Sequence, residues 1–277
     1  MENLLGIDFE EWYHPELIQN FFEIKNPEPK VIKGIDKILD WLQKNETFAT
    51  FFVVGELLEK NPELFDKIIE HDHEIAFHSM YHKNLNQQNK ETFESELLIF
   101  QNLTQNKSIG FRAPTFSLSN SSSWVLDVLT ENNYHYDSSV VPAKTQLYGI
   151  PNAETKPYKI SKYNLESNND NGKIIEFPLL TTKIVGKKIP AGGGFYLRTL
   201  PVKLIKNAIK HNISLNVPST FYIHSWELTP EFMPKLQLPK KDHFVTYHNL
   251  NKALPKMDEL IKKFKFTSFS RFLSNSI

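Results

Sequence analysis

Two histidines four residues apart, His78 and His82, end the stretch His-Asp-His-Glu-Ile-Ala-Phe-His-Ser-Met-Tyr-His at residues 71–82. Neutral imidazoles bind first-row divalent ions, so the pair offers half of a metal site that a carboxylate would complete. One helical turn through residues 79–81 would put both rings on the same side. With ten histidines in the chain such a spacing also arises by chance, and the case rests on what accompanies it. Asp8-Phe9-Glu10-Glu11-Trp12-Tyr13-His14 places three carboxylates just past an apolar run, and Arg112, Asp137 and His224 each end another. Ionisable groups at the ends of buried strands are costly unless they are paired or bind something. Plainer readings stand beside this one. Asp8 could cap a solvated loop, Arg112 could anchor the turn at Ala113-Pro114, Asp137 could cap a turn, and His224 could be a satisfied core imidazole.

The elements that must carry these groups alternate. Apolar runs at residues 4–7, 48–54, 74–77, 109–111, 134–136, 174–180 and 220–223 read as strands. Helical spacing appears at 33–44, 64–69, 91–103, 124–129, 201–211 and 254–264. Strands alternating with helices predict an α/β protein with a parallel sheet or a (β/α) barrel, whose functional groups sit on the loops after the strands. Five segments place ionisable residues there: Asp8 to Glu11, His78 with His82, Arg112, Asp137 and His224. Residues 142–172 are polar and rich in Pro and Asn, as in a long surface excursion. Gly192-Gly193-Gly194 lacks the Lys-Ser/Thr of a phosphate loop and reads as a turn.

The chain has 277 residues, 40% hydrophobic and 13% aromatic, enough for a sizeable core. Lys plus Arg and Asp plus Glu are equal at 32, so composition implies no basic face for nucleic acid. The absence of Cys excludes disulfides, thiolate metal sites and a Cys nucleophile. The N-terminus has no basic segment followed by an apolar one, and no run approaches the roughly 18 apolar residues of a membrane span, so the expectation is a cytoplasmic protein.

On these five segments the sequence resembles the polysaccharide deacetylases of the NodB-homology group, carbohydrate esterase family 4, over roughly residues 4–273. His78-Ser79-Met80-Tyr81-His82 matches the family's His-Ser-x-x-His metal motif, Arg112-Ala113-Pro114 its Arg-x-Pro motif, and Ile223-His224 its late apolar-His motif. Asp137 falls where the family has an Asp after the fifth strand. The opening Asp8-Phe9-Glu10-Glu11-Trp12 and the late His224-Ser225-Trp226-Glu227 look most like the bacterial subgroup tied to exopolysaccharide production. The resemblance implies a distorted (β/α) barrel of about seven parallel strands. It also implies one catalytic domain over residues 1–277, with an insertion at about 142–172 and a C-terminal helical extension at about 248–277. Many relatives open with adjacent Asp-Asp, base then ligand. Here the ligand must be Glu10 or Glu11, and period-two alternation favours Glu10 on the face of Asp8.

The implied activity is metal-dependent removal of N-acetyl groups from an amino sugar in a polysaccharide or its lipid-linked precursor. One divalent ion, zinc first among the candidates, would be held by His78, His82 and Glu10 and would activate water and polarise the carbonyl. Asp8 would be the general base, paired with Arg112. His224 would donate a proton to the departing amine, with Asp137 raising its pKa. Trp12, Phe116 and Trp226 are the candidate sugar-stacking walls, though such aromatics are as often core. Hydrolysis of another C–N bond, such as a cyclic amide or a formyl group, and sugar binding on an inactive scaffold are the alternatives.

Overall fold

The first strand, β1 (Asn3–Phe9), is buried from end to end, as expected of a central strand covered on both faces. In the computed structural model, which describes residues 1–21 and 27–276, it lies one strand in from the β10 edge of a curled sheet. The other strands are β2 (Thr50–Val53), β3 (Glu74–Phe77), β4 (Gly110–Phe111), β5 (Tyr136–Asp137), β6 (Tyr158–Ile160), β7 (Ile174–Glu176), β8 (Thr181–Ile184), β9 (Lys187–Pro190), β10 (Thr220–His224) and β11 (Phe266–Thr267). The order is β10-β1-β2-β3-β4-β5-β7-β6, with β11 pairing at the start of β1. Every neighbour from β10 to β7 runs parallel, which makes seven parallel strands in a row, and β6 lies antiparallel at the edge. The curl closes through two isolated bridges, Leu179 with Thr220 and Gly193 with Tyr222, so the fold is a half-barrel and not a continuous ring. Gly193 has φ +138°, and a Cβ there would lie 1.7 Å from Tyr222 O. The glycine run therefore serves a close backbone approach.

Register decides where chemistry can occur. Asp8 pairs with His224 across β1 and β10, and Val53, Phe77, Phe111 and Asp137 form one row across β2 to β5. His78 and Arg112, one residue past that row, emerge at the same carboxyl-terminal rim as Asp8. Amphipathic helices such as Ile35–Lys44 and Lys90–Leu103 pack the outer core, and Asn89 caps the latter by accepting from Thr92 N–H. Inside the curl, Leu4, Phe52, Tyr136, Phe177 and Phe269 fill the space beneath the rim.

Two local expectations change. The imidazoles of His78 and His82 converge without a helical turn, because Ser79 (φ 58°) and His82 (φ 54°) are left-handed and fold the segment back. Residues 142–172 are more than a surface excursion. They supply β6, bury Tyr158, Ile160 and Leu165, and bring Tyr148 to the cleft. Within residues 248–276, β11 joins the sheet and Phe269 stacks on Tyr136 inside the curl at 5.1 Å. Among the described residues no helix is long and apolar enough to cross a membrane.

Candidate active site

One side of the cleft is built on a buried ion pair. Arg112 NH1 donates to Asp8 Oδ1 at 2.5 Å, and both side chains are nearly inaccessible. The guanidinium is fixed from behind, with Nε donating to Ser138 O and NH2 to Ser138 Oγ, and it lies 3.9 Å over the ring of Phe52. Gly6 makes the space, because a Cβ there would meet Arg112 NH1 at 2.6 Å. Asp8 is thus a carboxylate with one oxygen engaged, facing the cleft beside the histidines.

Next to it, ligand atoms of Glu10, His78 and His82 all lie within 4.8 Å of one another, and all three residues are buried. His78 Nδ1–H donates to Arg112 O at 2.7 Å, which leaves the Nε2 lone pair free. Glu10 Oε2 sits 2.7 Å from His82 Nε2, close enough for an ion pair when the ring is protonated. A carboxylate and two imidazoles whose ligand atoms converge within 4.8 Å suit a shared cation, and the two-His, one-carboxylate donor set fits a divalent ion. Burial alone would raise the Glu10 carboxyl, but His82, His224 and His78 around it hold it well below the usual range. Burial lowers His78 to about 4, keeping it neutral and able to ligate. Glu11 points elsewhere and accepts from the N–H groups of Lys30, Val31 and Ile32, capping the turn Val31–Gly34.

On the other side of the cleft, His224 Nδ1–H donates to Glu227 Oε2 at 2.8 Å, and the same oxygen accepts from His224 N–H. Its Nε2 is 3.9 Å from Glu10 Oε1. Burial disfavours the charged ring, but Glu227, Glu10 and Asp8 outweigh it and raise His224 above the ordinary value. Asp137 is not the partner of His224, contrary to expectation. It does not line the cleft and pairs instead across β5 and β7 with Glu176. The physical reason is closure: β10 lies against β1, so the residue that reaches His224 Nδ1 comes from the next turn of its own chain.

The aromatic candidates divide. Phe116 forms a cleft wall with Tyr148 and Tyr222, at ring separations of 5.2 and 4.9 Å. It is turned there by left-handed backbone at Thr115 and Phe116 (φ 54° and 52°), which costs about 1–3 kcal/mol per residue. Trp226 lines the cleft, but its face stacks on His224 at 4.5 Å and its Nε1–H donates to Glu10 Oε1 at 2.9 Å. It orients two other groups and has no free face for a sugar. Trp12 does not line the cleft. It is buried with Tyr13, Ile18 and Val31, and its Nε1–H donates to Glu28 O. Tyr148, Tyr222, Glu227 and His14 are additions. His14 accepts from Glu11 N–H through Nδ1 and donates to Glu56 from Nε2 at 2.6 Å, its ring nearly parallel to that of His82. Glu227 had a local signal, a carboxylate three residues after His224 at a helix start.

Asp137 and Glu176 form a buried acid pair behind the arginine. Ser139 Oγ donates to Asp137 Oδ1, and Val140 N–H to Glu176 Oε1. Burial raises Asp137 to about 6, and burial with the Asp137 charge raises Glu176 well above its usual range. The pair takes up protons on folding. Its stability contribution is therefore complete below the unfolded carboxyl values, about pH 4, and is lost as pH rises through the folded ones. Glu176→Gln mimics the protonated acid. It is expected to be about 1–2 kcal/mol more stable than the parent at pH 8 and to show no gain at pH 4. Urea unfolding at both pH values checks this, and an equal difference at the two would refute it.

The half-barrel thus carries a buried Glu–His–His cluster and an Arg-held carboxylate on one rim. In family comparison the polysaccharide deacetylase model matches residues 32–136, and a domain of unknown function (DUF3473) matches residues 138–274. A peptidoglycan-N-acetylglucosamine deacetylase of Bacillus cereus is 34% identical over 80 residues, 29% of this chain and 28% of that protein. A chitooligosaccharide deacetylase of Sinorhizobium fredii is 30% identical over 98 residues, 34% of this chain and 43% of that one. The matched part thus spans less than half the length of these relatives. In fold, a Mycobacterium smegmatis protein described as a polysaccharide deacetylase aligns over 99% of this chain and 90% of its own, with TM-score 0.63 and 14% identity. Over residues 32–136, therefore, the chain carries a segment similar to the polysaccharide deacetylases.

Proposed function

We propose that the chain is a metal-dependent hydrolase that removes N-acetyl groups from an amino sugar in a polysaccharide or its lipid-linked precursor and releases acetate. The observation that carries this reading is the convergence on one cleft of Glu10, His78 and His82 with the Arg112-held Asp8 and the Glu227-held His224. An acetamide is a poor electrophile, so hydrolysis needs an activated water, a polarised carbonyl and a proton for the departing nitrogen. A divalent ion, zinc by preference, held by Glu10, His78 and His82 would polarise the carbonyl and lower the pKa of water. Asp8 takes the proton from the attacking water as general base, oriented by Arg112. His224 passes its Nε2 proton to the nitrogen as the C–N bond breaks, while Glu227 on Nδ1 fixes the ring and favours its charged form. Phe116, Tyr148 and Tyr222 form the wall against which an N-acetylated sugar would lie. Trp226 serves by holding Glu10 and His224.

The test is acetate release from N-acetylated oligosaccharides, with and without chelator. We expect release that a chelator abolishes and added zinc restores. Sugar binding with no acetate released by metal-loaded protein would leave only an inactive scaffold. Turnover of a cyclic amide or formyl substrate alone would move the reading to another C–N bond.

A further inference from the structure

We propose that Arg198 is a positioning residue for proton donation by His224, acting through Glu227. The inference rests on the deacetylase reading above. Arg198 sits in the short helix Gly194–Thr199, just after the glycine approach that closes the sheet. Its Nε lies 2.6 Å from Glu227 Oε1, with both side chains buried. The other carboxylate oxygen, Oε2, is the one that accepts from His224. The guanidinium is clamped independently, with NH1 donating to Thr246 O and His248 O and NH2 to Val245 O. Its own backbone is held too, because Lys256 Nζ donates to the carbonyls of Leu197, Arg198 and Leu200.

A carboxylate buried as deeply as Glu227 would take up a proton without a cation beside it. Here burial is overcome by Arg198 first and His224 second, and the carboxyl stays below its usual range. A protonated Glu227 would be a weaker acceptor for the imidazole Nδ1–H and would no longer favour its charged form. The arrangement repeats that on the Asp8 side of the cleft. Arg112 holds the carboxylate that handles water, and Arg198 holds the carboxylate behind the group that handles the leaving nitrogen. Each arginine has an aromatic ring close by, Phe52 for Arg112 and Trp226 for Arg198.

This role has a signature that simple packing lacks. An amine leaves only if it is protonated, whereas 4-nitrophenolate leaves unprotonated. Loss of His224 positioning should therefore slow amide hydrolysis and spare an activated aryl ester at the same cleft. We expect Arg198→Met to lower kcat for acetate release from N-acetylated chitooligosaccharide by about tenfold or more, and 4-nitrophenyl acetate hydrolysis by less than about twofold. Arg198→Lys, which keeps a buried cation, should recover part of the amide rate. If Arg198 acts through Glu227, the double variant Arg198→Met/Glu227→Gln should lose no more than Glu227→Gln alone. The lysine and double variants leave no uncompensated buried charge, so their substrate ratios decide the matter if Arg198→Met fails to fold. Equal losses on both substrates in folded variants, or losses that multiply in the double variant, overturn the role. A parent protein that releases no acetate from the sugar defeats the deacetylase reading itself, whereas an active parent with an unmoved ratio defeats Arg198 alone.

Discussion

His78→Ala or His82→Ala is expected to lose both the bound divalent ion and essentially all hydrolysis. Each imidazole contributes one of three protein donors to a buried cluster, and the two remaining donors cannot hold the ion against water. Loss of the ion removes carbonyl polarisation and water activation together, so the rate should fall by more than about 10⁴-fold, beyond the ~10²–10⁴ typical of a single proton-transfer group. Glu10→Gln should behave similarly, although its amide can still accept from Trp226 Nε1–H. Glu11→Gln is the contrast. That carboxylate caps three backbone N–H groups and contacts no imidazole of the cluster, so the variant should keep its ion and lose about 0.5–2 kcal/mol of stability. Elemental analysis beside thermal unfolding separates the two. Ion retained in Glu10→Gln and lost in Glu11→Gln would reverse the assignment.

Asp8→Asn should keep the ion and lose about 10²–10⁴-fold in rate, because it removes a base and not a ligand. Its Oδ1 can still accept from Arg112, which limits the structural damage. The cost of leaving Arg112 beside a neutral partner is still expected to show as lower stability, since a buried ion pair broken from one side leaves an uncompensated charge. His224→Ala should also retain the ion and lose the amide rate, with a smaller loss on an aryl ester. If Asp8→Asn arrives without its ion, Asp8 is itself a ligand and the division of labour between Asp8 and Glu10 fails.

Much of the site was legible because its signals are local. Apolar runs mark β1, β3, β4, β5 and β10, and polar groups at their ends fall on one rim once the strands run parallel. Alternation along β1 places Glu10 on the face of Asp8, and a motif of five residues carries both imidazoles. The local geometry between His78 and His82 was not legible, because left-handed backbone at non-glycine residues leaves no compositional mark.

What only the tertiary structure decided is which buried group answers which. Asp137 sits at a strand end like the other site residues, yet parallel pairing sets it against Glu176. Glu227 takes the place beside His224 because the chain turns into a helix right after β10. Trp12 and Trp226 share a residue type and an expected role, but one is buried against Tyr13 and Ile18 and the other between Glu10 and His224. Arg198 carries no motif that links it to Glu227, and its place follows from the closure at Gly193. Residue type and periodicity determine which side chains reach a rim. The pairing of buried charges there depends on long-range packing, where an unpaired group is so costly that the fold, and not the local sequence, selects its partner.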